Sequence, residues 1–178
     1  MNVLHRRQSG LSMIEVLVTL VLISVGVLGM VALQSRTIQY TQDSVQRNVA
    51  ATLANDLIEL MRAMPDGLPA NSGFYKAKDE PFPGKPSSCN PLPNNASQQL
   101  ACWAEKVKTA LPGVVTADEE EEDLLETEFY VCRTNQANTC TGTGDTVEIQ
   151  IAWQVKSGEC LDGDNDSTIC RYRLRGQL

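Results

Sequence analysis

Glu15 is the one acid in the run RRQSGLSMIEVLVTLVLISVGVLGMVALQ, residues 6–34, and it stands five positions after Gly10. A carboxylate beside lipid or apolar protein is costly unless a cation neutralises it or it sits at a polar interface. The chemistry such a residue offers is charge pairing. Catalysis has little else to work with. His5 is the only histidine, so beyond the first few residues no imidazole exists for a Ser-His-Asp triad, a Cys-His dyad or a His-bearing zinc site. The chain is therefore read as a non-enzyme, with no catalytic residue, metal or cofactor. Asp162, Asp164 and Asp166 have the spacing that opens a calcium loop, but Ser167 replaces the required glycine and Arg173 the bidentate glutamate. The remaining reactive residues are Cys89, Cys102, Cys132, Cys140, Cys160 and Cys170, with no C-x-x-C pair among them. That usage points to disulfides in an oxidising compartment.

The elements that must position these residues follow from composition and period. At 178 residues, with 42% apolar and 21% charged side chains, the chain has room for one domain and an extension. The first seven residues hold His5, Arg6 and Arg7 and no acid, while the whole chain carries a net charge of −7. An acidic body argues against nucleic acid as a partner. From Val16 to Leu33 no residue is charged, close to the ~20 residues that cross a bilayer as a helix. A secretory signal has an apolar region of only ~7 to 15 residues and ends in small residues, which GMVALQSR lacks. Arg6 and Arg7 keep the N-terminus cytoplasmic by the positive-inside rule, and the body is then exported to where disulfides form. Helical spacing continues through Ile38, Val45, Val49, Leu53, Leu57, Leu60 and Met64, with Arg36, Asp43, Arg47, Asp56, Glu59 and Arg62 on other faces. PDGLP, residues 65–69, ends the pattern.

The stretch Gly10-Leu11-Ser12-Met13-Ile14-Glu15 followed by the apolar run resembles the class III leader of type IV pilins and their relatives. The resemblance implies that a prepilin peptidase cuts between Gly10 and Leu11 on the cytoplasmic side and that Leu11 is then N-methylated. It also implies that Glu15, the fifth mature residue, pairs with the new amino terminus of a neighbouring subunit during assembly. That amine is the cation the carboxylate needs. A glutamate at headgroup level is the alternative reading of Glu15. SVGVLGMVALQ, residues 24–34, is similar to the stretch found in PilV-type minor pilins, and Trp103, Leu111-Pro112-Gly113 and Val147 to Trp153 follow the order of that group's heads. Leu11 departs from the commoner phenylalanine, and the stem lacks the proline of many major pilins. Gly26 and Gly29 serve either local helix weakness or close helix packing.

The head is expected to be α+β: a long N-terminal helix packed on a small antiparallel sheet with disulfide-stapled loops, the pilin fold. All eight prolines fall between residues 65 and 112, five of them in PFPGKPSSCNPLP, residues 81–93, which reads as an extended surface loop. SQQLACWAEKVKTALPG, residues 97–113, reads as a helix capped by Ser97 and stopped by Pro112-Gly113, with Leu100, Trp103, Ala104, Val107 and Leu111 on its buried face. Residues 128–133, 146–155 and 168–175 alternate as strands of a meander, with Val147, Ile149, Ile151, Trp153 and Val155 facing the core. Six cysteines allow 15 pairings. Hairpin geometry favours the neighbours Cys89 with Cys102, Cys132 with Cys140, and Cys160 with Cys170. DEEEED, residues 118–123, reads as a solvated loop. Asn95-Ala96-Ser97 fits a glycosylation acceptor of little weight.

The resulting division is a leader at 1–10, a membrane and assembly helix at 11–35, and a head at 36–178. The head comprises a helical half at 36–64, a loop region at 65–127 and a β-meander at 128–178. The resemblance implies a minor pilin held in the inner membrane as a single span, head periplasmic, and then built into an extracellular pilus. Its implied partners are the prepilin peptidase and methyltransferase, other minor pilins, the major pilin and a tip adhesin-like protein. A type II secretion pseudopilin and an uncut, membrane-anchored binding domain are the alternatives.

Overall fold

Helix α1 spans Met13–Ala63 in the computed structural model, which describes residues 12–64, 72–115, 123–160 and 167–177. No proline interrupts residues 13–63, and the helix passes unbroken through Gly26 and Gly29. Neither glycine has a neighbour where a Cβ would stand. The chain divides into two units, Met1–Gln39 and Tyr40–Leu178. In the first unit the apolar side chains of α1 from Met13 to Leu33 lie open.

In the second unit α1 buries Ala50, Leu53, Ala54, Leu57, Ile58 and Met61. The apolar stripe expected from the sequence is shifted. Ile38 and Val45 are more than half exposed, Val49, Leu60 and Met64 are only partly buried, and the alanines of the helix fill the close contacts. Asp43, expected on an outer face, is 1% exposed and accepts from Arg47 Nε at 2.9 Å. The Arg47 guanidinium in turn lies 5.6 Å from the ring centre of Trp153. This cationic group over an indole lets a polar turn of helix pack on the core.

Helix α2 spans Ala96–Ala110, and its N-cap is Asn95, whose Oδ1 accepts from Gln98 N at 3.1 Å. The cap is therefore two residues earlier than the expected Ser97. Leu100, Trp103, Ala104, Val107 and Leu111 are all buried. Trp103 is core, and its Nε1–H donates to the Leu53 carbonyl at 2.8 Å, tying α2 to α1. The Leu111-Pro112-Gly113 stop also docks the helix on the sheet. Pro112 O accepts from Gln154 N at 3.0 Å, and Gly113 has φ +62° with Gln154 Cβ 2.3 Å from where its own Cβ would be. Only glycine fits both the left-handed backbone and the close approach.

A one-turn helix α3, Leu124–Thr127, leads into the antiparallel sheet of β1 (Tyr130–Arg133), β2 (Val147–Gln154) and β3 (Ile169–Gly176), in the order β1-β2-β3. The register sets Val131 opposite Ile149, and Ile151 opposite Tyr172. Val147, Ile149, Ile151 and Trp153 share one buried cluster with Leu53, Leu57, Met61, Phe74 and Phe129. This is the α+β arrangement of a long N-terminal helix and a small antiparallel sheet with disulfides in its loops.

The segment between α1 and α2 sends side chains into the interior. Ser72, Phe74 and Lys76 alternate inward, and Lys76 is 3% exposed. Its backbone bridges to Val131, and its Nζ donates to the carbonyls of Ala77 (2.9 Å), Glu126 (3.0 Å) and Phe129 (2.9 Å), 5.0 Å from the Phe82 ring centre. Burial pushes the amine down to about 8, against the opposite pull of Glu126, Glu80 and Asp79. Between about 8 and the unfolded value of 10.5, the unfolded chain binds a proton that the folded one does not, so stability from this group rises with pH. Chemical denaturation of wild type and Lys76→Met should show the difference moving by ~2 kcal/mol in favour of wild type between pH 7.5 and 9.5. A flat or falling difference contradicts the burial argument. The window closes before Tyr130 titrates, whose hydroxyl is pushed up to about 12 by burial and by Glu148.

Candidate functional site

The scissile bond expected between Gly10 and Leu11 lies outside the described residues, as do His5, the 162–166 aspartates and residues 118–122 of the acidic run. The described part of the site begins at Ser12. Its carbonyl accepts from Glu15 N at 2.9 Å and Val16 N at 3.3 Å, which makes Ser12 the first capping position of α1. Glu15 is the acid of the first helical turn, where a negative charge complements the helix dipole. Ser12 and Glu15 have the spacing of a capping box, a signal that the reading of Glu15 as a charge-pairing residue overlooked. The box is not closed: among the described residues the Glu15 carboxylate makes no hydrogen bond or ion pair. An acceptor with open valences is thus held at the mouth of the helix.

Around it every large side chain is apolar and open. Met13 is 87% exposed and Ile14 69%, and the apolar stretch of α1 is long enough to cross a membrane and none of it is buried. The few polar groups in the stretch are satisfied within the helix. Thr19 Oγ1 donates to Val16 O at 2.8 Å and Ser24 Oγ to Leu20 O at 2.7 Å, as side chains bound for an apolar medium require. The arrangement is a surface seeking apolar cover, with a single unpaired negative charge near its start.

Residues 5–31 match the family model of the prokaryotic N-terminal methylation motif. No curated protein and no solved structure matches the chain. The motif supports a type IV pilin-like or pseudopilin-like substrate of prepilin peptidase, and the apolar first part of α1, most of it inside the match, fits membrane anchoring. Gly10, Leu11 and Glu15 all lie inside the matched residues.

In the head, the structure joins Cys89 to Cys102, Cys132 to Cys140 and Cys160 to Cys170, with Cα separations of 5.7, 5.7 and 5.5 Å. Each closes a short loop of 13, 8 or 10 residues next to α2 or the sheet. Among the described residues no cluster of His, Cys, Asp or Glu is arranged to hold a metal ion.

The sequence reading gave β2 one buried face; the structure gives it two. Glu148 is 0% exposed and Gln150 3%. Glu148 accepts from Tyr130 Oη at 2.5 Å and Asn138 N at 3.1 Å, and forms an ion pair with Arg175 Nε at 3.1 Å. Gln150 donates to Glu128 O at 2.6 Å and accepts from Arg173 Nε at 2.5 Å. Arg171 makes a two-pronged pair with Glu128 at 2.8 and 2.9 Å, which holds that carboxyl below its ordinary range. The signal was present as Arg171, Arg173 and Arg175 at strand period opposite Ala152, Gln150 and Glu148. Cross-strand pairs of this kind lock register, and they turn the second face into a satisfied polar layer.

Proposed function

We propose that the chain is a minor pilin of a type IV pilus. It is stored in the inner membrane by the first half of α1, cut after Gly10, methylated on Leu11 and drawn into a filament through that helix. It acts with other minor pilins to start assembly and stays near the tip, beside an adhesin-like partner, where it serves twitching motility and adhesion. It does no chemistry of its own. The observation that carries this reading is a Glu15 carboxylate with no partner among the described residues, in the first turn of an exposed apolar helix and inside the methylation motif. A charge there is costly unless assembly brings it a cation, and the amine freed at Leu11 is such a cation. The small, disulfide-closed head fits export to an oxidising space. A shared stem admits different heads to one bundle, and each head then selects its neighbours.

Deleting the gene and scoring surface pili and type II secretion side by side tests the machine. Loss of pili with secretion intact is the expected result. Loss of secretion with pili intact assigns the subunit to a pseudopilus instead.

A further inference from the structure

The sheet has one closed edge and one open edge. On the outer side of β1 the backbone of Lys76 bridges to Val131, with N···O distances of 2.9 Å in both directions. Strand β3 is the opposite edge, and from Arg173 to Gly176 it has no backbone partner on its outer side among the described residues. The register identifies the groups that stand there. Thr168 O accepts from Val155 N at 2.8 Å, and hydrogen-bonded pairs alternate along an antiparallel ladder. Cys170, Tyr172, Leu174 and Gly176 therefore bond β2, while the N–H and C=O groups of Arg173 and Arg175 face outward. Such an edge is ordinarily blunted by proline, a bulge or charged side chains. Strand β3 has neither proline nor bulge over its eight paired residues, and its arginines are drawn onto the polar face of the sheet. Arg173 Nε donates to Gln150 Oε1 at 2.5 Å, and Arg175 Nε pairs with the buried Glu148 at 3.1 Å. Both arginines remain exposed. That face is cationic although the chain carries a net charge of −7. Among the described residues its carboxylates are Glu128 and Glu148, against Lys78, Arg171, Arg173 and Arg175, and Arg173 has no carboxylate partner.

We propose that the open edge of β3 receives an extended, acidic segment of a partner protein, which adds a fourth strand through the backbone of Arg173 and Arg175 and sets its carboxylates beside their guanidinium groups. The backbone row selects a polypeptide strand, whose donors and acceptors repeat at the same interval. The charges select which strand. Residues directly opposite in a sheet share a face, so the partner residues facing Arg173 and Arg175 lie beside the guanidinium groups. The residue between them lies beside Leu174, which is partly buried against the core. The fitting pattern is acid, apolar, acid. A second copy of β3 does not supply it, because antiparallel self-pairing sets arginine against arginine, and like charges directly opposite destabilise a sheet. The pairing belongs to the head and holds whether the stem serves a pilus, a pseudopilus or a simple anchor.

The test uses the full chain in non-ionic detergent micelles and three peptides: acetyl-TVEVEVT-amide, the same peptide N-methylated on both glutamates, and acetyl-TVKVKVT-amide. Nuclear magnetic resonance follows the backbone N–H groups of β3. The acidic peptide should give saturable shifts there and slow hydrogen exchange at Arg173 and Arg175 about tenfold or more, while Tyr172 and Leu174, already bonded to β2, change little. The N-methylated peptide keeps both charges but cannot form the ladder, and its binding should be lost. The lysine peptide should bind about tenfold more weakly than the acidic one. Arg173→Glu should narrow or reverse that preference. Absence of a saturable shift in wild type overturns the proposal, as do shifts that leave Arg173 and Arg175 exchange unchanged. Equal binding of the N-methylated peptide also overturns it, marking a simple anion contact, and so does a lysine peptide that binds as well as the acidic one. An unchanged preference in folded Arg173→Glu counts against it equally. If that variant fails to fold, the three peptides on wild type decide.

Discussion

A Glu15→Gln subunit is expected to accumulate, cut and membrane-inserted, while being depleted from sheared filaments. The substitution keeps the shape and the hydrogen-bonding capacity of the side chain and removes its charge. On the proposed function, insertion depends on the apolar stretch of α1, which is untouched, cleavage on Gly10 and Leu11, and assembly on the charge. In a bundle of apolar helices, the Leu11 amine of a neighbour would be left without a counterion, and breaking one side of a buried pair costs ~3 to 5 kcal/mol. Within its own chain Glu15 has no partner among the described residues, so no local contact compensates. Quantifying this subunit against the major one in sheared filaments checks the expectation. Wild-type incorporation would return Glu15 to the role of a carboxylate resting at the headgroup level.

The second large effect belongs to Glu148. Its carboxylate is fully buried, takes hydrogen bonds from Tyr130 and Asn138 and is ion-paired with Arg175. Glu148→Ala leaves a buried phenol and a backbone N–H without their acceptor and frees the Arg175 guanidinium from its counterion, so the head should lose ~3 to 5 kcal/mol. Arg175→Ala should cost far less. The Arg175 side chain is 35% exposed, and Glu148 then retains two donors. Denaturant unfolding followed by tryptophan fluorescence reads both. If the two variants lose equally little, the polar layer is not a fixed part of the fold.

What could be read in advance was what period and punctuation encode. The proline-free run to residue 64, the strand alternation in 146–155 and the Leu111-Pro112-Gly113 stop each name an element and its limit, and the elements formed within one or two residues of those limits. What a neighbouring segment covers was not encoded in that way. Glu148 and Gln150 are polar at positions that alternate outward, and it takes Glu128, Tyr130, Asn138 and the arginines of β3 to cover that face. Lys76 likewise looks like a loop lysine until the carbonyls of Glu126 and Phe129, some fifty residues away, converge on it. Asp43 and Val45 exchange their expected places because the core begins at Ala50 and the turn before it packs through Arg47 on Trp153. The methylation motif, residues 5–31, was legible because it is a linear pattern, and Gly10, Leu11 and Glu15 fall inside it without any tertiary pocket being needed to find them.

The mass of the membrane-extracted chain tests the central claim most directly. A species beginning at Leu11 and carrying one added methyl group is the expected result, with Gly10→Ala processed less completely because a bulkier residue meets a site fitted to glycine. A mature protein that still contains Met1 to Gly10 would contradict the prepilin account at its root.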